Sequence, residues 1–177
     1  LDLLQEDYPA AEQSFTRVIE IAPFRTEAYT ALLGLYLAEH RYNDAEEILS
    51  LGLEALPGNL RLLLSLASFY ELTQKYEDAI SQYELILTSR PNADIVANNL
   101  ASLLSEYRTD QASLEKAYQL AQRFRTTTIP HFLDTLGWAS YKIGNYNEAL
   151  RYIERAIAEA PELGELYYHR GMIYKAL

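Results

Sequence analysis

Residues 26–59 read TEAYTALLGLYLAEHRYNDAEEILSLGLEALPGN, and residues 60–93 read LRLLLSLASFYELTQKYEDAISQYELILTSRPNA. Laid over one another, the two segments keep the same residue types in the same places. Tyr42 and Tyr76, Ala45 and Ala79, and Pro57 and Pro91 each stand 34 residues apart, and Tyr8, Ala11 and Pro23 carry each series one step upstream. Three residue types in phase at one period mark a tandem repeat, in which units too small to bury their own apolar faces stack on their neighbours. An array of this kind offers an extended surface rather than a catalytic pocket.

Within residues 26–59 the apolar residues Tyr29, Leu32, Leu33 and Tyr36 recur at i, i+3, i+4 and i+7, the stripe of an amphipathic helix. "HRYND" breaks the pattern. A second stripe follows in Ala45, Ile48, Leu49 and Gly52, and "LPGN" ends it. Pro57 and Gly58 do not continue a helix, and Asn59 is suited to cap the next one. Each unit therefore reads as two helices.

The pattern resembles the tetratricopeptide repeat, a helix-turn-helix unit with the signature W-x2-L-G-x2-Y…A-x3-F…P. Residues 26–59 carry the likeness through Tyr29, Leu32, Leu33, Tyr36, Ala45, Leu49, Gly52 and Pro57. Residues 60–93 carry it through Leu63, Leu66, Ala67, Tyr70, Ala79, Tyr83, Ile86 and Pro91, and residues 130–163 through Leu133, Leu136, Gly137, Ala149, Ile153, Ala156 and Pro161. Residues 1–25 and 164–177 read as partial units. The resemblance implies one array over residues 1–177, an all-α right-handed solenoid of four complete helix pairs bracketed by partial ones. Gly137, Gly171 and Ala149 are expected to let paired helices approach closely. The segment "NNLASLL…LDTLGW…EALRYIERAI" looks like the C-terminal repeats of large bacterial multi-repeat proteins, some linked to exopolysaccharide export or envelope assembly, and the chain is expected to be a fragment of such a protein.

Residues 94–129 depart from the pattern. Their small-residue anchor reads as Ala117, 38 residues after Ala79, a gain of 4 residues before the second helix and about one helical turn. That helix is expected to start near Gln111, capped by Asp110, and to run to Arg125. Three threonines replace the proline at its exit, and irregular linkers are expected around Tyr107–Asp110 and Thr126–Ile129.

Composition narrows the function. The net charge of −10 is uneven: residues 1–59 hold 11 acids against 3 bases, and the remainder 14 against 12. Phosphate binding needs clustered Lys and Arg, so nucleic acid is not an expected partner. The longest apolar run, Ala31 to Ala38, is too short to cross a bilayer. With no cysteine there is no thiolate chemistry, and the residues point to no compartment. Phosphate-binding glycine motifs and H-E-x-x-H are missing. His131 and Asp134, at i and i+3 on one predicted helix, form a conceivable dyad or metal pair, but without a third ligand they read as a solvated helix face. No enzyme activity, metal or cofactor is expected.

Function is expected in the groove. In the family the first helices line a concave face, and the resemblance places the second, fifth, ninth, twelfth and thirteenth residues of each unit there. Carried onto this chain, it singles out Arg61, Glu71, Asn98, Ser102, His131, Asp134, Trp138, Tyr141 and Tyr168 as a surface for a peptide or protein. Trp138, the only tryptophan, reads equally as a binding anchor or as packing against the neighbouring first helix. As an anchor, Trp138→Ala and Tyr141→Ala would weaken binding and leave unfolding nearly unchanged. Some family members clamp the C-terminal carboxylate of chaperones with paired Lys and Asn. The matching positions here are Thr30/Gly34, Leu64/Ser68 and Asn98/Ser102 without a lysine, so such a clamp is not expected. The expected function is a non-catalytic scaffold or adaptor. The alternatives are self-association through the array ends and an accessory domain of a larger enzyme or envelope-assembly protein.

Overall fold

A computed structural model of the protein describes residues 7–177. Among those residues the chain forms ten α-helices, one short 3-10 turn and no strand. In chain order they are α1 (Tyr8–Ile21), α2 (Thr26–Ala38), α3 (Tyr42–Ala55), α4 (Leu60–Leu72), α5 (Tyr76–Ser89), α6 (Asp94–Tyr107), α7 (Gln111–Ala121) with its 3-10 turn Gln122–Phe124, α8 (Pro130–Lys142), α9 (Tyr146–Glu159) and α10 (Gly164–Ala176). The fold class is the all-α solenoid of helix-turn-helix units.

The turn inside a pair has a recurring build. His40, Gln74 and Gly144 adopt left-handed backbone, with φ of 57°, 60° and 85°. The next residue then donates its N–H back into the first helix: Arg41 to Tyr36 O, Lys75 to Tyr70 O and Asn145 to Ser140 O, at 2.8, 2.8 and 2.9 Å. This closure satisfies carbonyls that a helix end leaves open. Glycine takes that backbone freely, whereas His40 and Gln74 each accept a cost of about 1–2 kcal/mol. Between pairs, Asn59 accepts from Leu62 N at 3.2 Å and donates to Thr26 Oγ1 at 2.8 Å. Tyr29 and Tyr167 each donate to a preceding proline carbonyl, Pro23 and Pro161, at 2.9 and 3.0 Å.

The helices form two compact units divided between Gln82 and Tyr83, inside α5. The first has its core in Tyr29, Leu32, Tyr36, Ala45, Leu49, Leu62 and Phe69, with Phe15 and Ile19 of α1 packed against it. α1 is also tied by charge. Glu12 accepts from Tyr36 Oη at 3.0 Å and from Arg41 Nη1 and Nη2 at 2.7 and 3.0 Å. The Arg41 guanidinium holds the Glu12 carboxyl below its ordinary 4.5. Burial, reinforced by the Glu12 hydrogen bond, pushes the Tyr36 phenol up to about 12.

In the second unit Ala149, Ile153 and Ile173 form a core cluster flanked by Tyr141, Tyr146, Leu150 and Ile157. Gly137 sets how close α8 and α9 come: a Cβ there would lie 2.7 and 2.8 Å from Ile153 Cδ1 and Cγ1. Gly171, expected to serve the same purpose, has nothing within 4 Å of such a Cβ among the described residues.

The irregular unit is built differently from its reading. α7 does begin at Gln111, and Asp110 caps it by accepting from Ser113 N at 2.9 Å. However, α7 ends at Ala121, and the 3-10 turn covers Gln122–Phe124 rather than a helix reaching Arg125. The 4-residue gain is absent. α6 has 14 residues where α2, α4 and α8 have 13. The exit over residues 125–129 is one residue longer than the exits at 56–59, 90–93 and 160–163. Leu114, not Ala117, is the fourth residue of its helix, the place held by Ala45, Ala79 and Ala149. Ala117 is buried one turn further on, so its small size gave a false phase. The linker residues are held by side chains. Arg155 donates to Arg125 O and Thr127 O, both at 2.8 Å, and Phe124 stacks on Phe132 with ring centroids 4.4 Å apart.

Two outcomes follow from this packing. Gly137→Ala is expected to destabilise the chain by about 1–3 kcal/mol in urea unfolding through overpacking, whereas Gly171→Ala is expected to be neutral or to stabilise by about 0.5–1 kcal/mol. Because the folded Glu12 carboxyl titrates below 4.5, its contribution is present above that pH and is lost as pH falls through the folded value. Glu12→Gln should therefore lower stability at neutral pH and flatten the fall of Tm on acidification below 4.5.

Candidate functional site

In the first unit, α2 and α4 leave an open apolar groove of about 380 Å³ lined by Leu33, Leu37, Arg61, Leu64, Ser65, Ser68, Phe69 and Leu72. Helical spacing produces it. Leu62 and Phe69 are buried in the core, and the residues one step round α4, Arg61, Leu64, Ser68 and Leu72, turn away from it. Leu72 is 57% exposed, so the groove presents bare apolar surface, with Arg61 among its lining residues. Ser65 and Ser68 keep the floor open, since neither fills space.

In the second unit the corresponding residues gather around Trp138 on α8. The indole is stacked on Tyr141, with centroids 4.7 Å apart, and on His169 of α10, 4.2 Å apart. Its Nε1 donates to Glu106 Oε2 of α6 at 3.1 Å, and Lys142 Nζ lies 5.3 Å from the ring. His169 Nδ1 donates to Asp134 Oδ1 at 2.6 Å. Trp138 is thus a junction of three first helices, α6, α8 and α10. It is only 9% exposed, and His169 only 7%. Each stacked pair is worth about 0.5–1.5 kcal/mol beyond the burial.

The residues singled out from the sequence divide between the units. Arg61, exposed, and Glu71, half-buried, are in the first, and Arg61 lines its groove. In the second, Asp134, Trp138 and Tyr141 come together, with exposed Tyr168 beside His169 at 5.9 Å. Ser102 and His131 are exposed, and half-buried Asn98 donates to Asn99 Oδ1 at 3.4 Å. Asp134 is engaged by His169 and not by its helix neighbour His131. Of the two readings of Trp138, burial and stacking favour packing against the neighbouring first helix over an exposed binding anchor. Ser105, the twelfth residue of its unit and so at a position that the family likeness turns toward the groove, is fully buried. His169 was missed because it is the sixth residue of its unit, one place beyond the fifth position taken to face the groove. The signal available was its distance of 35 residues from Asp134, one repeat and one residue.

Models of the tetratricopeptide repeat match residues 2–58, 36–104 and 130–163. The chain belongs to the tetratricopeptide repeat family. It is similar to tetratricopeptide repeat protein 21A of Mus musculus, with 29% identity over 159 residues, 87% of this chain and 12% of that protein. It is also similar to the BBSome complex member BBS4 of Bos taurus, with 26% identity over 93% of this chain and 31% of that protein. The chain therefore spans less than a third of these curated relatives. Among solved structures, a tetratricopeptide repeat protein from Parabacteroides merdae superposes with a TM-score of 0.74 at 19% identity, covering 96% of this chain and 67% of that one. The likeness spans mammalian and bacterial proteins, so it follows the repeat itself. Tetratricopeptide repeat proteins are in general non-catalytic scaffolds for protein–protein interaction.

Burial separates the aromatic residues of the second unit. Trp138→Ala is expected to cost about 3–5 kcal/mol, and Tyr168→Ala, at a side chain 63% exposed, should stay within about 0.5 kcal/mol. Urea unfolding followed by far-UV circular dichroism reads both, since one variant removes the only tryptophan.

Proposed function

We propose that this tetratricopeptide repeat chain is a non-catalytic adaptor whose first-helix surface binds a peptide or protein segment, with the groove between α2 and α4 as its principal contact. The observation that carries this reading is the lining of that groove, which exposed Leu72 and half-buried Leu64 share with Arg61. Apolar side chains of a bound segment displace water from the two leucines, and a carboxylate on the same segment pairs with the guanidinium. The fitting occupant is an amphipathic helix or short extended segment with apolar residues and at least one acid. One relative is by name a member of a multi-protein complex, which agrees with an adaptor. On the second unit, taken by itself, exposed Tyr168, Ser102 and His131 are proposed as further contact residues.

A second reading has its own observation. Phe15, Val18, Ile21, Ala22 and Ala28 line an apolar recess on α1 and α2, where Val18 and Ile21 are exposed. That surface favours self-association through α1. Sedimentation velocity across a concentration series discriminates, and a strict monomer at every concentration removes this reading.

For the adaptor, a displayed peptide library selected on the whole chain is expected to return sequences with spaced apolar residues and an acid. Leu64→Asp and Leu72→Asp should each weaken the selected peptides by more than tenfold, about 1.4 kcal/mol, with Tm unchanged. Arg61→Ala should weaken the acidic peptides selectively. Peptides that bind the Leu72→Asp chain as well as the parent would refute the groove as the contact.

A further inference from the structure

Asp134 of α8 and Glu165 and His169 of α10 each present a ligand atom within 4.8 Å of the other two. We infer that these three side chains form a site for a divalent transition-metal ion of the zinc class, joining α8 to α10.

Helix geometry assembles the site. Glu165 and His169 are i and i+4 on α10 and so project from one face, one turn apart. Asp134 reaches them from the neighbouring first helix, and its Oδ1 already lies 2.6 Å from His169 Nδ1. On a tetrahedral ion with ligand distances of about 2.1 Å, two ligand atoms stand about 3.4 Å apart. Seating an ion therefore takes the place of the Nδ1 proton, the ring carrying its proton at Nε2 instead, widens that contact slightly and draws in Glu165, the exposed member. Two carboxylates balance the charge of a dication. An imidazole nitrogen selects zinc, cobalt, nickel or copper over magnesium and calcium, which take oxygen ligands. His169 is held in place before any ion arrives, because its ring is stacked 4.2 Å from Trp138, and a ligand fixed by packing loses little freedom on binding. Glu165 at the surface gives an entry path. Three protein ligands leave a fourth position for water or for a donor from another molecule.

The chain carries its own reporter. Trp138 is its only tryptophan, and a paramagnetic ion bound at His169 sits against the indole and quenches it. Untagged full chain, stripped with chelator, is titrated with Co2+ while tryptophan emission is followed, then with Zn2+ in competition. Saturable quenching at one equivalent is expected, reversed by Zn2+ and by chelator, together with a rise in Tm on adding Zn2+. Glu165→Gln, a surface change that leaves the fold intact by circular dichroism, should weaken binding by at least about tenfold, the lower end of what even an outer-shell partner costs. His169→Phe, which keeps an aromatic ring against Trp138, should abolish the quenching. An absence of quenching up to millimolar ion, or a Glu165→Gln titration that overlies the parent, would overturn the site. Because the probe is the metal alone, neither result bears on peptide binding in the α2/α4 groove.

Discussion

A methyl group added at Gly137 would stand 2.7 Å from Ile153 Cδ1, and that closeness of α8 to α9 is the constraint on which the architecture turns. Two helices that approach so nearly bury their facing stripes almost completely, yet each pair still has apolar residues on its outer side. Ala45, Ala79 and Ala149, all fully buried, keep the fourth residue of the second helix small for the same reason. Stacking a further pair is the only way to cover what remains, so the fold grows by repetition. Where the fourth residue is Leu114, α6 is a residue longer and its turn changes: Arg108 is extended, with φ −110° and ψ 148°, in place of the left-handed closure.

Polar contacts then fix what packing leaves free. Lys75, in the turn before α5, pairs with Glu46 of α3 at 2.8 Å, and Lys116 of α7 with Glu84 of α5 at 2.6 Å, but pairs open to water contribute about 0–1 kcal/mol. Arg155 does more, because it donates to two backbone carbonyls of a loop that has no helix partners to satisfy them. The Glu12 carboxylate, accepting from both Tyr36 and Arg41, plays a similar part for α1, where Phe15 and Ile19 are only partly buried. These contacts tie α1 and the 125–129 loop to their neighbours, and the apolar seams supply the bulk of the stability.

Much of this was legible in the sequence because it rests on periodicity. The series Pro23, Pro57 and Pro91 and the stripes Tyr29–Tyr36 and Ala45–Gly52 are consequences of helix geometry, and helix geometry is regular. The cap at Asp110 was legible for the same reason, since an acid before a helical stripe satisfies open N–H groups. The phase of α7 was not, because Ala117 imitates the small anchor, and only packing shows that Leu114 occupies its place. Gly171 holds the matching place on α10, and among the described residues nothing stands within 4 Å of a Cβ there. For His169 the spacing of 35 residues from Asp134 brings the two positions to neighbouring first helices, but which rotamers face the seam is a quantity with no period.

The two candidate surfaces are the same register of the repeat filled in opposite ways. The ninth residue of a unit lies on the outer step of its first helix, and the sixth residue of the following unit lies on the next first helix along. The pairs read Gly34 with Ser65, Ser102 with Thr135, and Trp138 with His169. Small or short side chains at both places leave room, and Ser65 and Ser68 do so in the α2/α4 groove. An indole facing an imidazole fills that room and seals the seam, which is why Trp138 is 9% exposed while Leu72 is bare. Filling has a consequence for chemistry. By fixing the His169 ring against Trp138, the seam holds an imidazole beside Asp134 and one turn from Glu165, so the stretch of surface that loses its groove is also the one that acquires a converging set of donor atoms.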